Sequence, residues 1–220
     1  HTLRSTMNQI MMPYLSMPVT TDDLFEQQGI FTEIEHAVSS TTRLAGGARA
    51  DLWEVTDNRA TVRNGMMTVP NPTANAVDKD TLTSGFVRLE HDITAQQQLL
   101  FGLGHSERIA DYWERFSTQS TTTLSGFLTQ PEQTTQLDAG WQFRSSDVKA
   151  TVSLYLSDIR DYILIDTTVA GKVGTAVSRN INAKTWGGEA DVAWAIATHW
   201  TLTGAIALAR GENSTDGTDL

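Results

Sequence analysis

The chain has 220 residues, no cysteine and a formal net charge of -10, from 26 acidic and 16 basic residues. The lack of cysteine excludes disulfides, Cys-based zinc sites and thiol nucleophiles within it, and the acidic balance argues against nucleic acid as a partner, because phosphates need a basic patch. No run approaches 18 apolar residues. This excludes a transmembrane helix but not a transmembrane β-barrel, whose strands need only about 9–11 residues in lipid.

Alternating apolar and polar residues predict about nine β-strands. In the segment 42–54, for example, Leu44 and Leu52 share one face, whereas Arg43, Arg49 and Asp51 take the other. In chain order the predicted strands are 1–9, 30–38, 42–54, 85–93, 97–109, 136–143, 148–156, 189–196 and 200–208.

The connections between these strands alternate in length. Short turns are predicted at 39–40, 94–96, 145–147 and 198–199, and long polar stretches at 57–83, 110–132 and 166–175. Soluble domains seldom carry several long loops without secondary structure, whereas outer-membrane barrels have short periplasmic turns and long extracellular loops. Four aromatic residues lie near the short turns, where an interfacial girdle belongs: Trp141, Phe143, Trp194 and Trp200. The pattern predicts an all-β, antiparallel transmembrane barrel, with a soluble β-sandwich as the alternative.

The energetics of lipid burial predict which strand face points inward. An Arg or Lys at the bilayer midplane costs about 2–4 kcal/mol, so the charged strand residues are expected to face the lumen. These residues are Arg43, Arg49, Asp51, Asp138, Glu189 and Asp191.

Four stretches resemble the TonB-dependent receptor family. The run from Gly102 to Glu114, which contains GHSER and DYWE, is similar to the branch described as copper receptors. Three others resemble strands found across the family: residues 131–138, which open with Pro-Glu, 180–189, which end in Gly-Gly-Glu, and 210–213. The resemblance implies a 22-stranded barrel of which residues 1–220 are a middle fragment of about nine strands, with the plug domain and the final strands expected outside this chain.

The resemblance also implies a function. We expect an outer-membrane receptor for uptake of a metal, by resemblance copper ion, with TonB, the plug domain, outer-membrane lipid and a small metal ligand as partners. The charged row of Arg43, Arg49 and Asp51 is then a candidate plug contact. We find no hydrolase elbow, zincin or phosphate-loop motif and predict no enzyme and no required cofactor. The alternatives are a siderophore or metallophore receptor of the same fold, a structural barrel, and a soluble β-sandwich binding module.

The candidate metal ligands come from the methionines, all six of which fall within the first 67 residues. Thioethers are soft ligands that suit Cu(I), and imidazole also suits copper. The His-x-Met pair associated with family copper receptors does not occur in the chain and is expected just before His1. The candidates are therefore His1, Met7, Met11, Met12 and Met17. The alternative is that these flexible side chains fill gaps between loops.

Overall fold

The computed structural model describes residues 2–3, 23–172 and 174–220, which form an antiparallel sheet, a small hairpin and one short helix. The strands are β1 (Thr2–Leu3), β2 (Asp23–Ala37), β3 (Thr42–Asp57), β4 (Thr61–Asn64), β5 (Met67–Pro70), β6 (Val77–Thr94), β7 (Gln97–Arg108), β8 (Glu132–Arg144), β9 (Val148–Asp166), β10 (Val177–Ala197), β11 (Trp200–Asn213) and β12 (Thr218–Asp219), and the helix is α1 (Tyr112–Phe116). The main sheet has the order β1-β2-β3-β6-β7-β8-β9-β10-β11-β12, and β4 pairs with β5 alone. The predicted all-β antiparallel class is confirmed.

The four predicted short turns are confirmed, but the strands run further from them than predicted. β6 begins at Val77 rather than 85, and the stretch 57–83 also contains the β4–β5 hairpin. The prediction of a loop there was wrong because most residues of β6 between Val77 and Gly85 are polar, as at Lys79 and Asp80. The alternation therefore stops while the hydrogen bonding to β3 continues. The stretch 110–132 likewise contains α1.

One face of the sheet, which we call the apolar face, carries the predicted lipid-facing residues. Opposed residues on paired strands share a face, and one cross-strand row is Val87, Leu103, Leu137, Leu156 and Trp186. Leu137 and Ile206 are 54% and 73% exposed. The prediction that these side chains are not packed in a dry core is confirmed, and so wide an uncovered apolar surface is what a lipid-facing wall presents.

The apolar face ends sharply on the long-loop side. The next row of opposed residues is Gly85, His105, Thr135, Asp158 and Lys184. On the apolar face of β9 the apolar residues run from Val148 to Leu156, which is about 26 Å along the strand at ~3.3 Å per residue. A tilt of about 40° reduces this to roughly 20 Å, close to the ~25 Å apolar band of outer-membrane barrels.

The opposite face, which we call the charged face, holds the buried core of the described chain. The core lies at the long-loop end of β3 and β6, where Trp53, Val55 and Leu82 pack against Phe127. Phe127 belongs to the segment 109–131, which we call the inner loop. None of the described helices is long and apolar enough to cross a membrane.

Candidate functional site

Three predicted inward residues on β3 form ion pairs along the charged face. Arg49 Nη2 donates to Asp51 Oδ1 at 2.6 Å, and Arg43 donates to Glu90 of β6. The Asp51 side chain is almost fully covered. Its carboxylate fills the space over Gly29 of β2, where a Cβ would come within 2.1 Å of Asp51 Oδ1. The arginines are therefore neutralised by neighbouring carboxylates.

The other three predicted residues share this face but lie across the sheet from β3. Asp138 accepts a bond from Gln136 Nε2 at 2.7 Å, and Glu189 accepts one from Ser153 Oγ at 3.3 Å. Asp191 is exposed. β10 is five strands from β3 in the sheet order, or roughly 24 Å at ~4.8 Å per strand. The structure thus places the six residues on one face and pairs Arg49 with Asp51, but the three residues on β8 and β10 stay apart from those on β3.

The described residues do not bring together a cluster of His and carboxylate ligands. No group of three or more His, Asp or Glu side chains within them is arranged to hold a metal ion. The candidates His1, Met7, Met11, Met12 and Met17 lie outside the residues that the structure describes. Met66 and Met67, at the tip of the β4–β5 hairpin, are 100% and 64% exposed.

An arginine with two acidic partners lies at the point where the inner loop leaves the sheet. Arg108, at the end of β7, donates to Glu114 at 2.9 Å and to Glu132 at 3.1 Å. Asp111 caps α1: Glu114 N donates to the Asp111 carboxylate, and Asp111 N donates to the Glu114 carboxylate, both at 2.8 Å. This capping box fixes the direction in which the chain turns after β7.

The inner loop then packs its apolar side against the wall. Phe127 is fully buried, and its ring meets the ring of Phe116 edge-on at 5.8 Å. Gly126 precedes Phe127 in a space without room for a side chain, since a Cβ there would lie 2.3 Å from Thr118 Oγ1 and 3.0 Å from the backbone oxygen of Glu114. A glycine at 126 lets the loop approach α1 closely.

A buried arginine ties the inner loop to β6. Arg115 is only 2% exposed and donates to Asp78 at 2.7 Å and to the backbone oxygen of Phe127 at 2.6 Å. Its guanidinium also lies over the Trp53 ring at 5.0 Å. Burial lowers the pKa of Arg115, and the carboxylate of Asp78 opposes that effect. A charge this deeply buried needs its counterion in place.

A second buried cluster joins the inner loop to the loop between β3 and β6. The Asp57 carboxylate, which has no exposed surface, accepts bonds from Arg59, Asn71 and Thr73, the last two at 2.9 and 2.7 Å. Thr73 and Arg59 in turn lie 2.8 and 3.2 Å from the hydroxyl of Ser125 in the inner loop. Burial opposes ionisation of Asp57, but these bonds outweigh it and hold the pKa of the carboxyl below its ordinary value.

The inner loop is also bonded to the first residues of β10. Ser178 N donates to the backbone oxygen of Gln119 at 2.9 Å, and Thr129 Oγ1 donates to Ser178 Oγ at 3.1 Å. Gln130 N donates to Asn180 Oδ1 at 2.9 Å, and Asn180 Nδ2 donates to the backbone oxygen of Gln130 at 3.0 Å. The loop is therefore held between β6, the β3–β6 connection and β10.

Comparison with known proteins identifies this architecture. Residues 4–220 match the family described as "TonB dependent receptor-like, beta-barrel". The chain belongs to the TonB-dependent receptor family. Its fold is therefore part of the antiparallel receptor barrel, and its location is the outer membrane. The comparison with curated proteins gives no match.

Solved receptor structures resemble the chain to different degrees. A structure named "Copper transporter OprC" is 36% identical, with a TM-score of 0.85 over 93% of this chain and 32% of its own. The ferripyoverdine receptor of Pseudomonas aeruginosa is 15% identical, with a TM-score of 0.62 over 90% of this chain and 24% of its own. The ferric-catecholate receptor Fiu of E. coli K12 is 16% identical, with a TM-score of 0.62 over 91% and 31%. The chain thus spans about a third of OprC, and the last two similarities concern the fold alone.

Two glutamates of the receptor wall complete the sheet where neighbouring strands part. β6 pairs with β7 only from Gly85 onward; beyond that point Thr83 N donates to the carboxylate of Glu107 at 2.7 Å. Where β9 extends beyond the start of β8, Ile163 N donates to Glu132 at 3.2 Å. These carboxylates replace the missing backbone acceptors. His105 of the same motif bonds Thr135 at 3.0 Å.

Sequence reasoning missed the buried part of this receptor segment. Arg115, Asp57 and Ser125 lie in stretches that read as polar loops, because a buried ion pair or hydroxyl has the same composition as a solvated one. One signal was present: Asp111 followed three residues later by Glu114 is a capping-box pattern and marks the start of α1.

Proposed function

We propose that the intact protein is an outer-membrane TonB-dependent receptor that takes up a metal, and that the metal is copper ion. The observation that carries the proposal is the similarity to the copper transporter OprC, at 36% identity over 93% of this chain. The run that contains GHSER and DYWE supports the proposal, because it resembles copper receptors. Its side chains fix the start of the inner loop. The protein in this proposal is a transporter and not an enzyme, and it requires no cofactor.

In this proposal the charged face lines the lumen and the apolar face meets lipid. The ion pairs of Arg43, Arg49 and Asp51 offer a rigid, partly neutralised surface to the plug domain, which moves when TonB transmits energy. Asp138, Glu189 and Asp191 form the opposite part of the lumen wall and leave it acidic. An acidic lumen raises the local concentration of cations, which suits a cationic metal better than an anionic chelate.

The first contact with copper is proposed to involve the methionines that precede β2. Thioethers bind Cu(I) in preference to harder cations, and Met7, Met11, Met12 and Met17 occur within eleven residues of one another. His1 is a further candidate ligand in the same segment.

The test is metal content and uptake of the full-length receptor in cells. Met11 and Met12 are both changed to leucine, with Met66→Leu/Met67→Leu as the matched control. We expect copper uptake that depends on TonB, and a several-fold fall in the first variant but not in the second. TonB-dependent uptake of a ferric chelate with no copper uptake would establish a metallophore receptor instead. Uptake independent of TonB would leave only a structural barrel.

A further inference from the structure

The inner loop makes buried contacts on three sides. Arg115 and Phe127 hold it to β3 and β6, Ser125 holds it to the Asp57 cluster, and Thr129 holds it to Ser178 of β10. A hinged lid opens by breaking contacts along one side and rotating about the other. Here every direction of rotation breaks a buried contact.

The burial of the inner loop also differs from that of a mobile gate. Segments that open and close are drawn from regions with few buried apolar contacts and exposed backbone hydrogen bonds. In the inner loop Arg115, Ser125 and Phe127 are each at most 2% exposed. Gln119 adds a backbone bridge to β10, and Gln119 Nε2 donates to the Arg63 backbone oxygen at 3.2 Å.

We infer that the inner loop is a fixed lining of the receptor mouth, which a transported ligand passes without displacing it. The inference rests on the proposed function, because it concerns the path of the metal, and it narrows the substrate class. A fixed lining on the charged face leaves less width for entry than a retracting loop would. The ligand that fits is a metal ion alone or with small ligands, rather than a bulky organic chelate, and any gating falls to other segments.

Thr129 and Ser178 allow a direct test in the full-length receptor. Their hydroxyl oxygens are 3.1 Å apart, and both residues are buried, so Thr129→Cys/Ser178→Cys places two sulfurs within reach of a disulfide. Cross-linking is verified by mass spectrometry of non-reduced peptides, and uptake of radioactive copper ion is compared before and after reduction, with the reductant washed out. Thr129→Cys alone is the control.

We expect the cross-linked receptor to take up copper ion within twofold of its reduced form. A tenfold or greater fall on cross-linking that reduction restores would overturn the inference while leaving copper uptake, and thus the proposed function, intact.

A second measurement does not depend on the ligand. Ser125→Cys and the exposed Thr122→Cys are treated with a maleimide reagent on intact cells, with and without functional TonB, and the receptor without an added cysteine is the blank. We expect Thr122→Cys to be labelled and Ser125→Cys to stay unlabelled in both strains. Labelling of Ser125→Cys only when TonB is active would show that the loop opens during transport. If no variant takes up copper, the proposed function fails and the labelling still decides whether the loop is fixed.

Discussion

Replacing Asp78 with asparagine should release the inner loop from the barrel wall. The substitution removes the carboxylate that Arg115 binds at 2.7 Å and leaves a guanidinium that is 2% exposed without a counterion. Breaking a buried ion pair by removing one partner costs about 3–5 kcal/mol. Because the Asp78 side chain is 26% exposed and water can reach it, we take the lower end, about 3 kcal/mol. Since 1.4 kcal/mol is a factor of ten, the open form should become more than about a hundredfold more populated.

Amide hydrogen exchange in the full-length receptor measures this opening. The backbone N–H groups of Gln119 and Gly126 bond to Ala176 and Thr118 at 3.0 and 2.9 Å, so they exchange only when the loop loosens. We expect their exchange to accelerate by about two orders of magnitude in Asp78→Asn. The exposed Asp80→Asn, which makes the same charge change two residues away, should leave it unaltered. A change of less than threefold in Asp78→Asn would refute the role assigned to the ion pair.

Four further outcomes are expected. Because hydrogen bonds depress the pKa of Asp57, the stabilising effect of its carboxylate is complete above the unfolded pKa of about 3.9 and is lost as pH falls through the lower folded pKa. Protection of the Thr73 amide against hydrogen exchange should therefore hold down to about pH 4 and then decline. The variant Asp57→Asn should abolish this pH dependence. Gly126→Ala should speed amide hydrogen exchange in the inner loop. Adding Thr118→Ala should recover part of the lost protection, since Thr118 Oγ1 is the atom nearest to the new Cβ. Equal exchange rates in the single and double variants would contradict this. Arg49→Glu replaces the counterion of Asp51 with a second carboxylate and should reduce copper uptake more than Arg49→Gln does, whereas unchanged uptake argues against a plug contact. The 220-residue chain without detergent should aggregate, since its sheet has open edges and a bare apolar face; a monodisperse sample with a cooperative melting transition would speak against it.

The strands could be predicted from sequence wherever one face is apolar and the other is polar. Along β9, Val152 and Leu154 on the apolar face alternate with Ser153 and Tyr155 on the charged face, so the residue types show which face each position takes. Beyond the apolar face most residues of β6 are polar, although Leu82 packs in the core. At Lys79 and Asp80 in β6 the backbone pairing continues, but nothing in the side chains distinguishes it from a loop.

The candidate site could be predicted in part, for the same reason. The alternation of apolar and polar residues predicts the strand face on which Arg49, Asp138 and Glu189 lie. The strand registers place all three on one face, as expected. Burial of Arg115 and Ser125 could not be predicted, because it depends on contacts between residues far apart in the chain: Ser125 meets Thr73 across 52 positions. No local pattern encodes such a contact.

The run from Gly102 to Glu114, which resembles copper receptors, fixes the place where the inner loop leaves β7. Arg108 holds α1 to β8 through Glu114 and Glu132, and Glu107 seals the edge that β6 leaves open. The bond from Arg108 to Glu114 fixes where the inner loop begins, and the loop in turn covers part of the charged face. Under the proposed function, this run would act on the ligand through the position of the inner loop and the width of the entrance, and not through donor atoms.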